Sequence, residues 1–214
     1  PTLTRGDDRL PRFLSMMREV YDGKVTRWGG QDGGATRNWE GKIGLIAAVT
    51  GEIDRHHSVI NALGDRYLYF RMPDTDVAAK MSLARTRRNN KQAIGEAIKA
   101  LFATIKSVTP PELSEAAEST LGAFARFVAV TRTAVIRDRV TREIEHLPQP
   151  EEPVRLYLTL RTFTRGLMMV GLDETEALVT AGKVAMDCLP PARLYALKTV
   201  ISSPEPVTLK QIME

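Results

Sequence analysis

Apolar and polar positions change period several times along the first third of the chain. Leu10, Phe13, Leu14, Met17, Val20 and Tyr21 recur at steps of three and four residues, which predicts an amphipathic helix ending at Asp22-Gly23. The segments 24–28 and 36–39 then flank Gly29-Gly30-Gln31-Asp32-Gly33-Gly34, where glycines supply the backbone freedom of a reversal, so a β-hairpin is expected. Residues 43–49, Ile-Gly-Leu-Ile-Ala-Ala-Val, form a continuous apolar run of strand length, suited to a strand covered on both faces. A helix over 53–63 closed by Gly64 and a strand over 66–72 ended by Pro73 complete this mixed region.

Beyond Asp74 the pattern is helical. Residues 77–106 contain no proline and are stopped by Thr109-Pro110-Pro111. Leu113, Ala117, Leu121, Phe124, Val128, Thr131 and Val135 fall on one face of a helix running from 112 to about 136. Leu147 to Pro153 is rich in turn formers. Leu156, Leu160, Phe163, Leu167 and Val170 mark the buried stripe of the next helix, started by Pro153 and ended by Gly171. Helices over 174–185 and 192–201 follow, divided by Leu189-Pro190-Pro191, and a further helix start is expected at Thr208. The fold class is therefore an α/β fragment followed by an all-α domain, predominantly helical. Its expected divisions are residues 1–75, 76–190 and 191–214, the last resembling the start of a helix-turn-helix.

Composition narrows the classes. Of 214 residues, 43% are hydrophobic and 26% charged, a globular balance, and 6% aromatic content leans towards helices. Charges interrupt every apolar run before membrane-spanning length, and no signal peptide is evident, so a cytoplasmic protein is expected. The single cysteine, Cys188, excludes an internal disulfide and a cysteine-based zinc site. His56 and His57 are adjacent and diverge by about 100° on a helix, and His146 stands alone in sequence, so no metal site is expected.

The formal charge of +4 permits nucleic acid, and its distribution says more. Residues 77–95 hold Lys80, Arg85, Arg87, Arg88 and Lys91 with no acid, and five arginines between 126 and 142 face only Asp138. The plain alternative is a solvated helix face. Arg27, Trp28, Arg37 and Trp39 place cations and aromatic faces on the hairpin, a combination able to meet phosphates and stack on unpaired bases, with Trp39 the better candidate for packing beneath it.

A phosphate-binding G-x-x-x-x-G-K-[ST] loop is absent from the 214 residues; Gly41-Lys42 is followed by Ile43. The order helix, hairpin, apolar run and arginine-bearing strand nevertheless resembles the second half of an AAA+ ATPase core, in the branch of minichromosome-maintenance helicases and enhancer-binding activators. The residues that carry the likeness are 13–30 running into 42–50 (Lys-Ile-Gly-Leu-Ile-Ala-Ala-Val-Thr), residues 63–72 and Glu152-Pro153-Val154-Arg155-Leu156. Phage or mobile-element ATPases are similar in residues 39–46 (Trp-Glu-Gly-Lys-Ile-Gly-Leu-Ile) and 53–66 (Ile-Asp-Arg-His-His to Leu-Gly-Asp-Arg).

The resemblance implies an inserted hairpin that reaches DNA and a helical lid over 76–190. It implies Thr50 at the sensor 1 position, although asparagine is commoner there, Arg66 or Arg71 as arginine finger, and Arg155 as the sensor 2 arginine facing nucleotide. Arg27, Trp28, Arg37, Arg85, Arg87 and Arg88 become candidate DNA contacts. ATP and Mg²⁺ would be bound mostly by a preceding half, joined in a homo-oligomeric ring, and this piece alone would not hydrolyse ATP. Pro1 opens the chain without a methionine, and Met213-Glu214 ends it inside what reads as a new element, so a longer protein is expected. Two other readings stand beside this one. The first is a non-catalytic DNA-binding regulator with a helix-turn-helix-like end, and the second an interaction scaffold with apolar grooves around Met168, Met169 and Met186.

Overall fold

The computed structural model describes residues 9–29, 35–56, 66–73, 76–86, 90–105, 109–133, 135–138 and 140–208. The described chain is predominantly helical with two small antiparallel sheets, and it divides into two compact units, residues 1–67 with 190–214 and residues 68–189. Among the described residues no helix is long and apolar enough to cross a membrane.

In the first unit, helix α1 (Arg9–Asp22) leads into strands β1 (Lys24–Gly29) and β2 (Ala35–Glu40). The helix stops where the sequence places its glycine. Gly23 has φ +85°, and a Cβ there would lie 2.8 Å from the carbonyl oxygen of Gly41, while Gly41 N–H donates to the Gly23 carbonyl at 2.9 Å. Only glycine suits both the left-handed backbone and that approach. Lys24 pairs with Glu40 and Gly29 with Ala35 in unbroken antiparallel register, as the hairpin reading requires.

The apolar run departs from expectation. Residues 42–50 form no strand and are exposed, with Ile46 fully so. A strand covered on both faces needs hydrogen-bonded neighbours at its edges, and the described ladders join only β1 to β2 and residues 136–137 to 144–146. A 3₁₀ turn, Gly51–His56, follows with Ile53 buried, where an α-helix was expected; residues 57–65 lie outside the described part. Helix α7 (Pro191–Ser202) has proline in its first turn and buries Leu194. The helix start expected at Thr208 lies almost wholly outside the described residues.

The second unit begins with residues 68–73, which run without strand pairing in place of the expected second strand. Helices α2 (Val77–Thr86) and α3 (Lys91–Thr104) replace the single helix expected over 77–106. Asn90 stands before the first turn of α3 without a side-chain cap, and asparagine is a weak helix former. Helices α4 (Glu115–Arg132), α5 (Val154–Met169) and α6 (Glu174–Asp187) pack on one another and carry the core. Leu121, Ala125 and Val128 of α4, Leu156 and Leu160 of α5 and Ala177, Ala181 and Val184 of α6 are all buried. Gly182 of α6 lies where a Cβ would come within 3.0 Å of the Phe124 ring. Thr164, fully buried, satisfies its hydroxyl by donating to the Leu160 carbonyl at 2.8 Å.

Caps fix the ends of these helices. Ser114 accepts from Ala117 N–H at the start of α4, and Asp173 and Glu176 form a reciprocal capping box on α6. Gly171, at φ +106°, ends α5 with Leu172 N–H bonded to the Leu167 carbonyl and Gly171 N–H to Met168. Helix α4 stops four residues short of expectation. Ile136–Arg137 instead forms strand β3, paired through an irregular register with β4 (Ile144–His146). The β-branched stretch Thr133, Val135, Ile136 favours extended backbone.

Candidate functional site

The hairpin assembles the exposed aromatic and basic groups. Register partners share a face, so Val25 and Trp39, Arg27 and Arg37 lie on one side, and Trp28 with Thr36 on the other. Trp39 is half-buried and stacks over Gly41, within 3.0 Å of where a Cβ would stand, while Trp28 remains 71% exposed. Alternation along β1 sends Trp28 to the face opposite Arg27, while Trp39 shares the face of Arg27 and Arg37, so one face carries both arginines with one tryptophan and the other carries Trp28.

Arg27 donates to Glu19 of α1 at 2.8 Å, and its own side chain is about half exposed. Arg37, directly across the ladder, is exposed. Like charges placed opposite one another destabilise a sheet, and Glu19 compensates only one of them.

The residues read as nucleotide-facing are dispersed in their contacts. Thr50 does not end a strand; it is exposed, and its carbonyl accepts from Ile53 N–H at 3.2 Å. Arg66 grips Asp22 at the end of α1 through Nε–H and Nη2–H at 3.2 and 3.0 Å, with its guanidinium 5.9 Å from the Tyr21 ring. Tyr67 donates to the Met17 carbonyl at 3.0 Å and meets Tyr21 edge-on, and burial pushes its hydroxyl pKa up, with Arg66 opposing. Arg71 donates from Nε to the Asp187 carbonyl and from Nη2 to the Leu189 carbonyl, at 3.0 and 3.4 Å. Both finger candidates are thus engaged with the end of a helix, where cations are favoured.

Arg155 differs. It stands exposed in the first turn of α5, where the helix dipole disfavours a cation. Arg85 is exposed in the last turn of α2, where the dipole favours one, and Arg87 and Arg88 lie outside the described residues. His56 belongs to the 3₁₀ turn, His146 to β4, and His57 is outside the described part. Met168, Met169 and Met186 are half-buried.

Sequence reasoning missed the acids that hold these arginines, Glu19, Asp22 and Asp187, although the Lys183 to Asp187 spacing of four was visible. It also missed a network on α4 and α5. Arg161 donates to Glu118 at 2.6 Å and Glu112 at 3.2 Å, Tyr157 donates to Glu118 at 2.7 Å, and Arg165 binds the carbonyls of Pro110 and Pro111. Burial works against the Glu118 carboxylate, yet donation from Tyr157 and Arg161 holds its pKa below the ordinary value; the same bond raises Tyr157.

Among the described residues no group of His, Cys, Asp and Glu could hold a metal ion. Comparison with protein-family models, curated proteins and solved structures finds no match to this chain.

Proposed function

We propose that this chain contributes a nucleic-acid-contacting hairpin and a helical lid to an ATP-dependent, DNA-acting ring ATPase, with ATP and Mg²⁺ bound chiefly by sequence beyond these 214 residues. The observation that carries the DNA half of the reading is the hairpin itself, with Trp28 71% exposed and Arg27 and Arg37 paired on the other face. An exposed indole can stack on any base, and paired guanidiniums gain from a phosphate placed between them. The motor half rests on the resemblance of residues 13–72 and 152–156. Arg155 supports it, since a cation in the first turn of a helix is stabilised when an anion approaches.

The engagement of Arg66 and Arg71 favours a second reading, the non-catalytic DNA-binding regulator. For either arginine to serve a neighbouring subunit's nucleotide it must first leave Asp22 or Asp187. Single-stranded DNA binding by the 214-residue chain tests the shared part. Trp28→Ala is expected to lose about 1–3 kcal/mol of binding, roughly 5- to 150-fold, and unchanged affinity at low salt rejects the hairpin as a contact. Turnover separates the two readings: DNA-stimulated ATP hydrolysis by the intact protein, abolished by Arg155→Ala, supports the motor. Binding that ignores nucleotide supports the regulator.

A further inference from the structure

Residues 68–73 lie along the C-terminal end of α6, and how they are held there is unusual. Leu68 and Tyr69 are half-buried, but Phe70 is 56% and Met72 80% exposed. The polar part of the attachment centres on one carboxylate. Asp187, buried, accepts from Arg71 backbone N–H at 2.8 Å and from Lys183, one turn earlier on α6. Lys183 also donates to the Arg71 carbonyl at 2.9 Å and sits 3.9 Å from the centre of the Phe70 ring. The Arg71 guanidinium bonds the carbonyls of residues 187 and 189, the two that flank Cys188.

We propose that residues 68–73 form a releasable clasp on α6, locked by the Arg71–Asp187–Lys183 cluster, and that its release frees the backbone on either side of Cys188, whose neighbouring carbonyls hold the Arg71 guanidinium, and so opens the thiol to reagent. A carboxylate at the last position of a helix opposes the helix dipole, so Asp187 depends on Arg71 and Lys183 for its place. Lys183 in turn is 40% exposed at its side chain and open to competing ions. A segment whose Phe70 ring is half exposed and meets a lysine ammonium can leave without dismantling the core of Leu121, Leu160 and Val184. Arg71 is then set free. The clasp stands independently of the function proposed above, since it concerns contacts within residues 68–189 alone.

Cys188 is the only cysteine of the chain and is 3% exposed, so its rate of reaction with dithiobis-nitrobenzoate reads the clasp directly. The rate is compared in wild type, Arg71→Ala and the milder Lys183→Gln, with helix content followed by circular dichroism. At least a tenfold faster reaction in either variant, helix content retained, is the expected result. A wild-type rate in both variants overturns the clasp. Loss of helix in every variant that reacts faster also overturns it, because the segment would then be part of the core rather than detachable from it.

Discussion

Arg27 and Arg37 occupy directly opposed positions on the β1–β2 ladder, on the face that also carries Trp39. Two cations on one cross-strand pair cost a hairpin stability, about 0.2–1 kcal/mol, and a single acid, Glu19, answers Arg27. Replacing Arg37 by threonine, a good strand residue, should therefore raise the stability of the first unit while weakening DNA binding. Both tryptophans lie in the hairpin, so the fluorescence-detected unfolding midpoint isolates that unit. The expected outcome is opposite signs for stability and affinity. A loss of both would mean that Arg37 is a structural residue.

Glu19→Ala removes the compensating charge and should have the reverse stability effect, a loss of roughly 0.5–1 kcal/mol for a pair that is partly exposed. Raising salt should shrink this difference, since screening weakens both the ion pair and the repulsion between the arginines. Midpoints measured in low and high sodium chloride check it. A salt-independent difference would assign the effect to packing of the Glu19 side chain.

The second unit should carry an acid limb that traces to Glu118. Its carboxyl, burdened by burial but held by Tyr157 and Arg161, titrates below its ordinary value of 4.5. A depressed carboxyl contributes stability that is complete above the unfolded value and lost as pH falls through the folded one. Tyr157, raised by the same bond, contributes stability that is present below its ordinary 10.0 and lost as pH climbs past it. Melting midpoints by circular dichroism should fall on both sides of that plateau. Glu118→Gln should flatten the acid limb, and an unchanged limb would place its origin elsewhere, Glu174 being the next depressed carboxyl.

What the sequence revealed divides along a physical line. Structure determined within a few residues was legible: the end of α1 at Gly23, the β1–β2 hairpin, the start of α5 after Pro153 and its end at Gly171, and the start of α6. Structure that depends on distant partners was not. The run 43–49 has a strand's composition, yet composition cannot supply the neighbouring strands, and the described chain leaves it exposed. The arginines failed for a related reason. Arg66 and Arg71 were legible as arginines of interest, but the acids that hold them stand 44 and 116 residues away, beyond any local spacing rule.

Gly23 should be intolerant of any side chain. Alanine there meets a left-handed backbone, which costs roughly 1–2 kcal/mol, and its Cβ would stand 2.8 Å from the Gly41 carbonyl oxygen, a backbone atom that cannot rotate away. Gly23→Ala should therefore lower the fluorescence-detected midpoint more than Glu19→Ala does. A smaller drop would mean that the junction of α1 and β1 has slack.

A pair of leucine and isoleucine replacements distinguishes the core from the apolar run. Leu121 is fully buried among α4, α5 and α6, so Leu121→Ala removes contacts and leaves a cavity, a loss of about 2–5 kcal/mol. Ile46 is fully exposed, and Ile46→Ser should change folding stability by no more than about 0.5 kcal/mol. The isoleucine replacement should show itself instead in solubility, because residues 43–49 present an uncharged apolar stretch that can pair with another chain. Light scattering of concentrated wild type and Ile46→Ser reads that difference. Should Ile46→Ser destabilise the isolated chain as strongly as Leu121→Ala does, the run is buried in solution and belongs to a core.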